Sequence, residues 1–170
     1  MHPRQERFWT LCVILAASGL AQGCESSIEA TTESHADELH VNGGSVLVAN
    51  RGGGTLSRIT VATNAVVTTA LPPGAVGVPE PMYVAYSPLA NRVFVNDRRN
   101  AQLAVYRAST MRLETTVPLG GQTFHMWASR LADQLWICDD SQRRLLVFDV
   151  RSLRRIAEVP VAADPTAVGA

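Results

Sequence analysis

From about Val46 to Pro160 apolar and polar residues alternate in short runs, each too brief for a helix. Leu103-Ala104-Val105-Tyr106 is one such run, with apolar side chains on both faces, as suits a strand packed between two neighbours. Mid-chain, the pattern predicts strands over residues 82–86, 92–96, 103–107 and 113–118. The separators at 87–91, 97–102 and 108–112 carry turn-forming Asp, Asn, Ser or Pro. The same alternation returns at 134–138 and 145–149. No segment holds a 3.6-residue period for the dozen residues a helix needs.

The runs repeat. Pro81–Ser87 (PMYVAYS) aligns with residues 123–129 (TFHMWAS) and with 165–170 (PTAVGA), each 42 residues after the last. Without a gap, Leu89 falls on Leu131, Asp97 on Asp139, Leu103 on Leu145, Val105 on Val147, Arg112 on Arg154 and Pro118 on Pro160. An earlier copy begins with Leu47-Val48-Ala49-Asn50 and includes Leu56 and Pro72; residues 72–81 (PPGAVGVPEP) lengthen its closing loop. Four strands in about 42 residues is the period of a β-propeller blade, a unit that hides its apolar faces only by stacking on its neighbours.

The boxes Leu47-Val48-Ala49-Asn50, Phe94-Val95-Asn96-Asp97 and Trp136-Ile137-Cys138-Asp139 resemble the Tyr-Val-Thr-Asn box of the YVTN-repeat propellers. The loop, third strand and Val-Pro ending after each box resemble them too, and the likeness runs from Gly44 to Ala170. It implies an all-β chain: a β-propeller fragment of about three four-stranded blades plus the first strand of another. The blades are expected at 44–80, 81–122 and 123–164, with 165–170 opening the next. The first blade lacks an obvious inner strand. Because closure usually needs four to eight blades, a truncated reading frame or one part of an assembly is expected, with association through open blade edges.

Residues 1–23 read as a lipoprotein-type signal peptide. Arg4 and Arg7 precede the apolar run Phe8 to Ala17, which is too short to span a bilayer. Leu20-Ala21-Gln22-Gly23-Cys24 then resembles a lipobox, with Cys24 as the lipid attachment site. The resemblance implies an exported chain, lipid-anchored in the outer membrane, the periplasm or at the cell surface. Residues 24–43 hold Glu25, Glu29, Glu33, Asp37 and Glu38 without a base and read as a flexible acidic tether. Beyond Cys12 and Cys24 only Cys138 remains, and one leftover thiol makes no intrachain disulfide framework; a Cys24–Cys138 bridge is the alternative to lipidation of Cys24.

Charge adds little at the level of the whole chain. Fifteen arginines, with no lysine, balance fifteen acids, so no global field favours nucleic acid. In a propeller the loops between blades and those between second and third strands form the usual functional face. Here these are 50–54, 97–100, 120–122 and 139–142, with inner strands beginning nearby at Tyr83 and His125. The candidate ligand face is therefore Tyr83, His125, Asp97, Arg98, Asp139 and Asp140. Each has a plainer role: His125 as a structural histidine, the aspartates as turn caps. No metal site is expected, since His125 lacks companion donors and neither an EF-hand nor a Gly-Asp nonapeptide spacing occurs. Arg51-Gly52-Gly53-Gly54 reads as a hairpin loop rather than a phosphate cradle, for no Lys-Ser/Thr or helix follows. Arg143, Arg144, Arg151, Arg154 and Arg155 read as a solvated rim, and Trp127 and Trp136 as packing residues.

No catalytic residue or cofactor is expected, and the sequence points to a non-catalytic binding or scaffold module with an envelope protein or ligand as its partner. The alternative is a fragment of a propeller enzyme or redox domain, lactonase-like or quinone- or haem-dependent, whose site residues lie mostly in other blades.

Overall fold

The computed structural model describes residues 39–42 and 44–161. Among these, twelve strands form three antiparallel four-stranded sheets, each a simple meander. The first contains β1 (Leu39–Asn42), β2 (Ser45–Asn50), β3 (Thr55–Thr60) and β4 (Ala65–Ala70). The second contains β5 (Pro81–Ser87), β6 (Arg92–Asp97), β7 (Gln102–Arg107) and β8 (Arg112–Pro118). The third contains β9 (Thr123–Ala128), β10 (Gln134–Asp139), β11 (Arg144–Asp149) and β12 (Arg155–Pro160).

Strand β1 departs from the sequence reading. Residues 39–42 were expected to close the acidic tether, leaving the first blade without an inner strand; they pair instead with β2, Leu39 opposite Val48 and Asn42 opposite Ser45. Gly44, in the turn that leads into β2, has φ +83°. Only four residues long, the strand gives little alternation to read, and its register is set by β2. The leader, Cys24, the rest of the tether and 165–170 lie outside the described residues.

Alternation gives the second sheet two apolar faces, one packed on the first sheet and one on the third. Leu47, Ala49 and Leu56 of the first sheet, with Leu71, pack on Val84, Val93, Val95, Ala104 and Tyr106 of the second. The opposite face of the second sheet, through Ala85, Phe94, Leu103 and Val105, packs on Met126, Leu135, Ile137, Leu146 and Phe148 of the third. Phe94, Leu103, Leu135, Ile137 and Leu146 are wholly buried, each burial worth roughly 1.5–3 kcal/mol. These two seams explain why the central runs are apolar on both faces. The outer strands β4, β8 and β12 are largely exposed.

The turns repeat more faithfully than their residues. Gly54, Ala101 and Arg143 stand at equivalent places after the second strand, with φ of +62°, +48° and +53°. Asn64, Met111 and Leu153 do the same after the third, at +55°, +55° and +59°. Only Gly54 and Asn64 are residue types that enter this left-handed region easily.

Candidate functional site

The site grows from the ends of the second strands, where β2, β6 and β10 run into their loops. Asp97 and Asp139 close β6 and β10 at equivalent positions, and both are fully buried. Asp97 Oδ1 accepts the backbone N–H of Glu80 at 2.8 Å, and its Oδ2 accepts Asn100 Nδ2 and Gln102 Nε2 at 2.6 and 3.1 Å. Asp139 Oδ1 accepts Ser141 Oγ at 2.7 Å and the Gln142 N–H at 3.1 Å, while Oδ2 pairs with Arg144 Nε at 2.8 Å. Buried carboxylates must be compensated in this way. Of the expected ligand face, these two aspartates hold loops in place, with both oxygens engaged.

Arg98 and Asp140 follow directly. Their guanidinium and carboxylate meet fork to fork, NH1 to Oδ1 at 2.8 Å and NH2 to Oδ2 at 2.9 Å. The hydrogen bond to Asp140 raises the Arg98 pKa above the usual arginine value, against partial desolvation. Tyr83 and His125 also meet, edge to face, with ring centroids 3.9 Å apart. Thus the structure joins two pairs of the sequence-derived candidates, each pair spanning the second and third sheets.

Asn96, just before Asp97, stitches the same boundary. Its Oδ1 accepts the Tyr83 N–H at 2.7 Å, where the β5–β6 register shifts, and its Nδ2 donates to the Phe124 carbonyl at 2.8 Å. Ala49 and Cys138 occupy the equivalent places in the other repeats and cannot make this link. Cys138 is a buried free thiol whose pKa is pushed up to about 11, mainly by burial and further by Asp140. Trp127 and Trp136 are cross-strand partners in β9 and β10, both half-buried. The basic stretch is partly consumed: Arg144 pairs with Asp139 and Glu158, Arg151 with Asp133, and Arg155 with Glu158.

Between the loops of the first and second sheets lies a cleft of about 270 Å³ lined by Arg51, Gly52, Val78, Pro79, Glu80 and Arg99. Val78, Pro79 and Glu80 of its lining belong to the long inter-sheet loop, which Asn100 clamps. Asn100 Oδ1 accepts the N–H groups of Val76 and Gly77 at 2.9 and 3.2 Å, and its Nδ2 donates to the Gly77 carbonyl at 3.2 Å. The Arg98 N–H adds a bond to the Glu80 carbonyl at 3.0 Å. Arg51 and Glu80, both in the lining, are ion-paired, with Arg51 Nε donating to Glu80 Oε1 at 2.8 Å. Arg99 is exposed and makes no hydrogen bond or ion pair among the described residues. The sequence placed Arg51 and Arg99 in functional-face loops without distinguishing them, and it passed over Glu80. The signal available was the run of extra residues at 72–81, which supplies the wall.

Among the described residues, no three His, Cys, Asp or Glu side chains converge as metal ligands. Among the described residues the cleft offers the Arg51 and Arg99 guanidinium groups, with Glu80 between the loops that carry them and Asp97 buried behind.

The meanders, their stacking through two apolar seams and their likeness to known structures make this a β-propeller fold. Solved structures with similar folds include Kuenenia stuttgartiensis hydrazine synthase, at TM-score 0.65 and 12% identity over 83% of this chain and 40% of that one. Apo AztD from Citrobacter koseri matches at TM-score 0.58 and 11% identity, over 72% of this chain and 33% of that one. The WD40 repeats of RRP9 match at TM-score 0.58 and 16% identity, over 71% and 36% respectively. The chain thus spans no more than about two fifths of these structures. No family model matches the chain, and no curated protein matches it by sequence.

Proposed function

We propose that this chain is an exported β-propeller module of the YVTN-repeat type, anchored through Cys24, that binds a partner at its loop face. The observation that carries the reading is the cleft of Arg51, Glu80 and Arg99. There, an exposed guanidinium stands on a loop fixed by Asn100 and Asp97, a site pre-organised at little further entropic cost. The side chains of the central strands β6 and β7 are spent on packing between sheets, and loops are where binding residues are most often carried.

The test is capture from an envelope extract on immobilised full-length protein, comparing wild type, Arg99→Glu and Arg112→Glu. A partner retained by wild type and Arg112→Glu, and lost by Arg99→Glu, is expected. Equal retention by all three, or none by wild type, overturns the assignment of the loop face. Membrane fractionation of Cys24→Ala tests the anchor: the variant is expected in the soluble fraction, and unchanged membrane association contradicts lipidation there.

A further inference from the structure

We infer that two copies of this chain pack head to tail, the third sheet of each against the first sheet of the other, and together close a ring of six sheets. This concerns sheet faces and stands apart from the loop-face reading above. The second sheet shows what each face of a repeat does. Phe94, Leu103 and Val105 lie on its face toward the third sheet, and Val93, Val95 and Tyr106 on its face toward the first. Trp136, Leu145 and Val147 stand 42 residues after the first set and, by strand register, share the face of the third sheet that turns away from the second. Val46, Val48 and Ile59 match the second set and share the outward face of the first sheet. No sheet among the described residues packs on either face. Trp136 and Leu145 are accordingly half-buried, as are Val46, Val48 and Ile59, whereas Phe94, Leu103, Val95 and Tyr106 are wholly buried.

What fits each of these faces is the other. On the third sheet, Trp127 and Trp136 stand where the second has Ala85 and Phe94, so this face is bulkier than the one that fills the second seam. On the first sheet, Val46, Val48 and Ile59 stand where the third has Leu135, Ile137 and Phe148, so that face is correspondingly shallower. Large side chains set against small ones conserve the packed volume of a seam. Polar groups on both faces tolerate burial, because their donors are already used: Asn50 Nδ2 bonds to Ser57 Oγ at 2.8 Å, Ser57 Oγ to Thr68 Oγ1 at 2.8 Å, and Trp136 Nε1 to Gln134 Oε1 at 3.1 Å. Arg51 is the first-sheet equivalent of Arg98 and Asp140, which pair across the second seam. The new seam therefore sets Asp140 of one copy beside Arg51 of the other, an acid and a base. Each keeps its present partner, Arg98 or Glu80, so this contact sets register while the apolar faces supply the energy. Closure fixes the number of copies: with three sheets in each, two copies give six and three give nine, and propellers close with four to eight. A head-to-tail contact that closes makes a finite ring rather than a filament.

The experiment measures the mass of the full chain by sedimentation velocity across micromolar concentrations, for wild type, Ile59→Arg, Val159→Arg and the loop control Leu131→Arg. Val159 lies opposite Leu145, on the third sheet's outward face, and its repeat equivalent Val117 packs in the second seam. Wild type and Leu131→Arg are expected at twice the 18.3 kDa chain mass. Either face variant should weaken the dimer about tenfold or more. Mixing Ile59→Arg with Val159→Arg leaves one seam free of substitutions, so the mixture should dimerise more tightly than either variant alone. A monomeric wild type overturns the proposal and leaves these faces to some other protein. So does a mass that keeps growing with concentration, which signals an open filament. A dimer sensitive to one variant only is a like-to-like contact and rejects the head-to-tail seam. A dimer indifferent to both, as one held by residues 1–23 would be, rejects it too. Acrylamide quenching of wild-type tryptophan fluorescence needs no substitution and holds even if a variant fails to fold. It is expected to fall as the dimer forms over Trp127 and Trp136, and quenching that does not change with concentration overturns the seam.

Discussion

Arg98 and Asp140 occupy the same place in successive repeats, 42 residues apart, yet carry opposite charges and pair bidentately across the second seam. Strict repetition would have put like charges side by side. Divergence at one position has turned a repeat contact into an inter-sheet bond. A double-mutant cycle with Arg98→Ala and Asp140→Ala, followed by urea unfolding, is expected to give a coupling of about 1 kcal/mol, since both groups remain partly solvated. The coupling should shrink in 1 M salt. No coupling would mean that the pair contributes nothing to holding the sheets.

Left-handed turns give a second prediction. Ala101 holds φ at +48° where the first repeat uses Gly54. Ala101→Gly relieves the clash of Cβ with the backbone, and a gain of up to about 1 kcal/mol is expected despite the added freedom of the unfolded chain. A lower melting temperature would show that the turn carries no strain.

Tyr106 is wholly buried in the first seam, and its hydroxyl finds no hydrogen-bond partner among the described residues. Burial pushes its pKa up to about 12. Tyr106→Phe removes the unsatisfied group and leaves the ring packing intact, so stability is expected to rise by about 1 kcal/mol. A loss of that size in denaturant melts would imply that the hydroxyl has a partner.

Cys138 predicts a pH effect. Its folded pKa of about 11 exceeds the unperturbed 9.0, so the fold favours the protonated thiol. That contribution is complete below pH 9 and is lost as pH rises toward 11, at on the order of 1 kcal/mol per unit between them. Comparing wild type with Cys138→Ala by urea unfolding at several pH values should show the extra slope in wild type alone. Equal slopes would place the thiol in a solvated environment.

Much of the architecture was legible because it is repeated. Spacing of 42 residues put Leu103 over Leu145 and Asp97 over Asp139, and alternation marked the strands to within a residue or so. Leu39–Asn42 was not legible, since a strand that short is defined by its partner. Nor were the turns at Ala101, Met111, Arg143 and Leu153, where the backbone adopts a conformation these residue types do not advertise. At the candidate site, the loops were identified but their division of labour was not. Asp97 and Arg99 are two residues apart in sequence, yet one is fully buried and the other exposed.

The chain's own pattern determined that it would form sheets and that they would stack, because a period of two with apolar residues on both faces can be buried in no simpler way. What the tertiary structure decided was which polar groups meet. The Arg98–Asp140 fork, the Asn96 stitch and the cleft beneath Val78 and Pro79 depend on how neighbouring sheets are juxtaposed. Charges brought together from distant residues leave no mark on local periodicity.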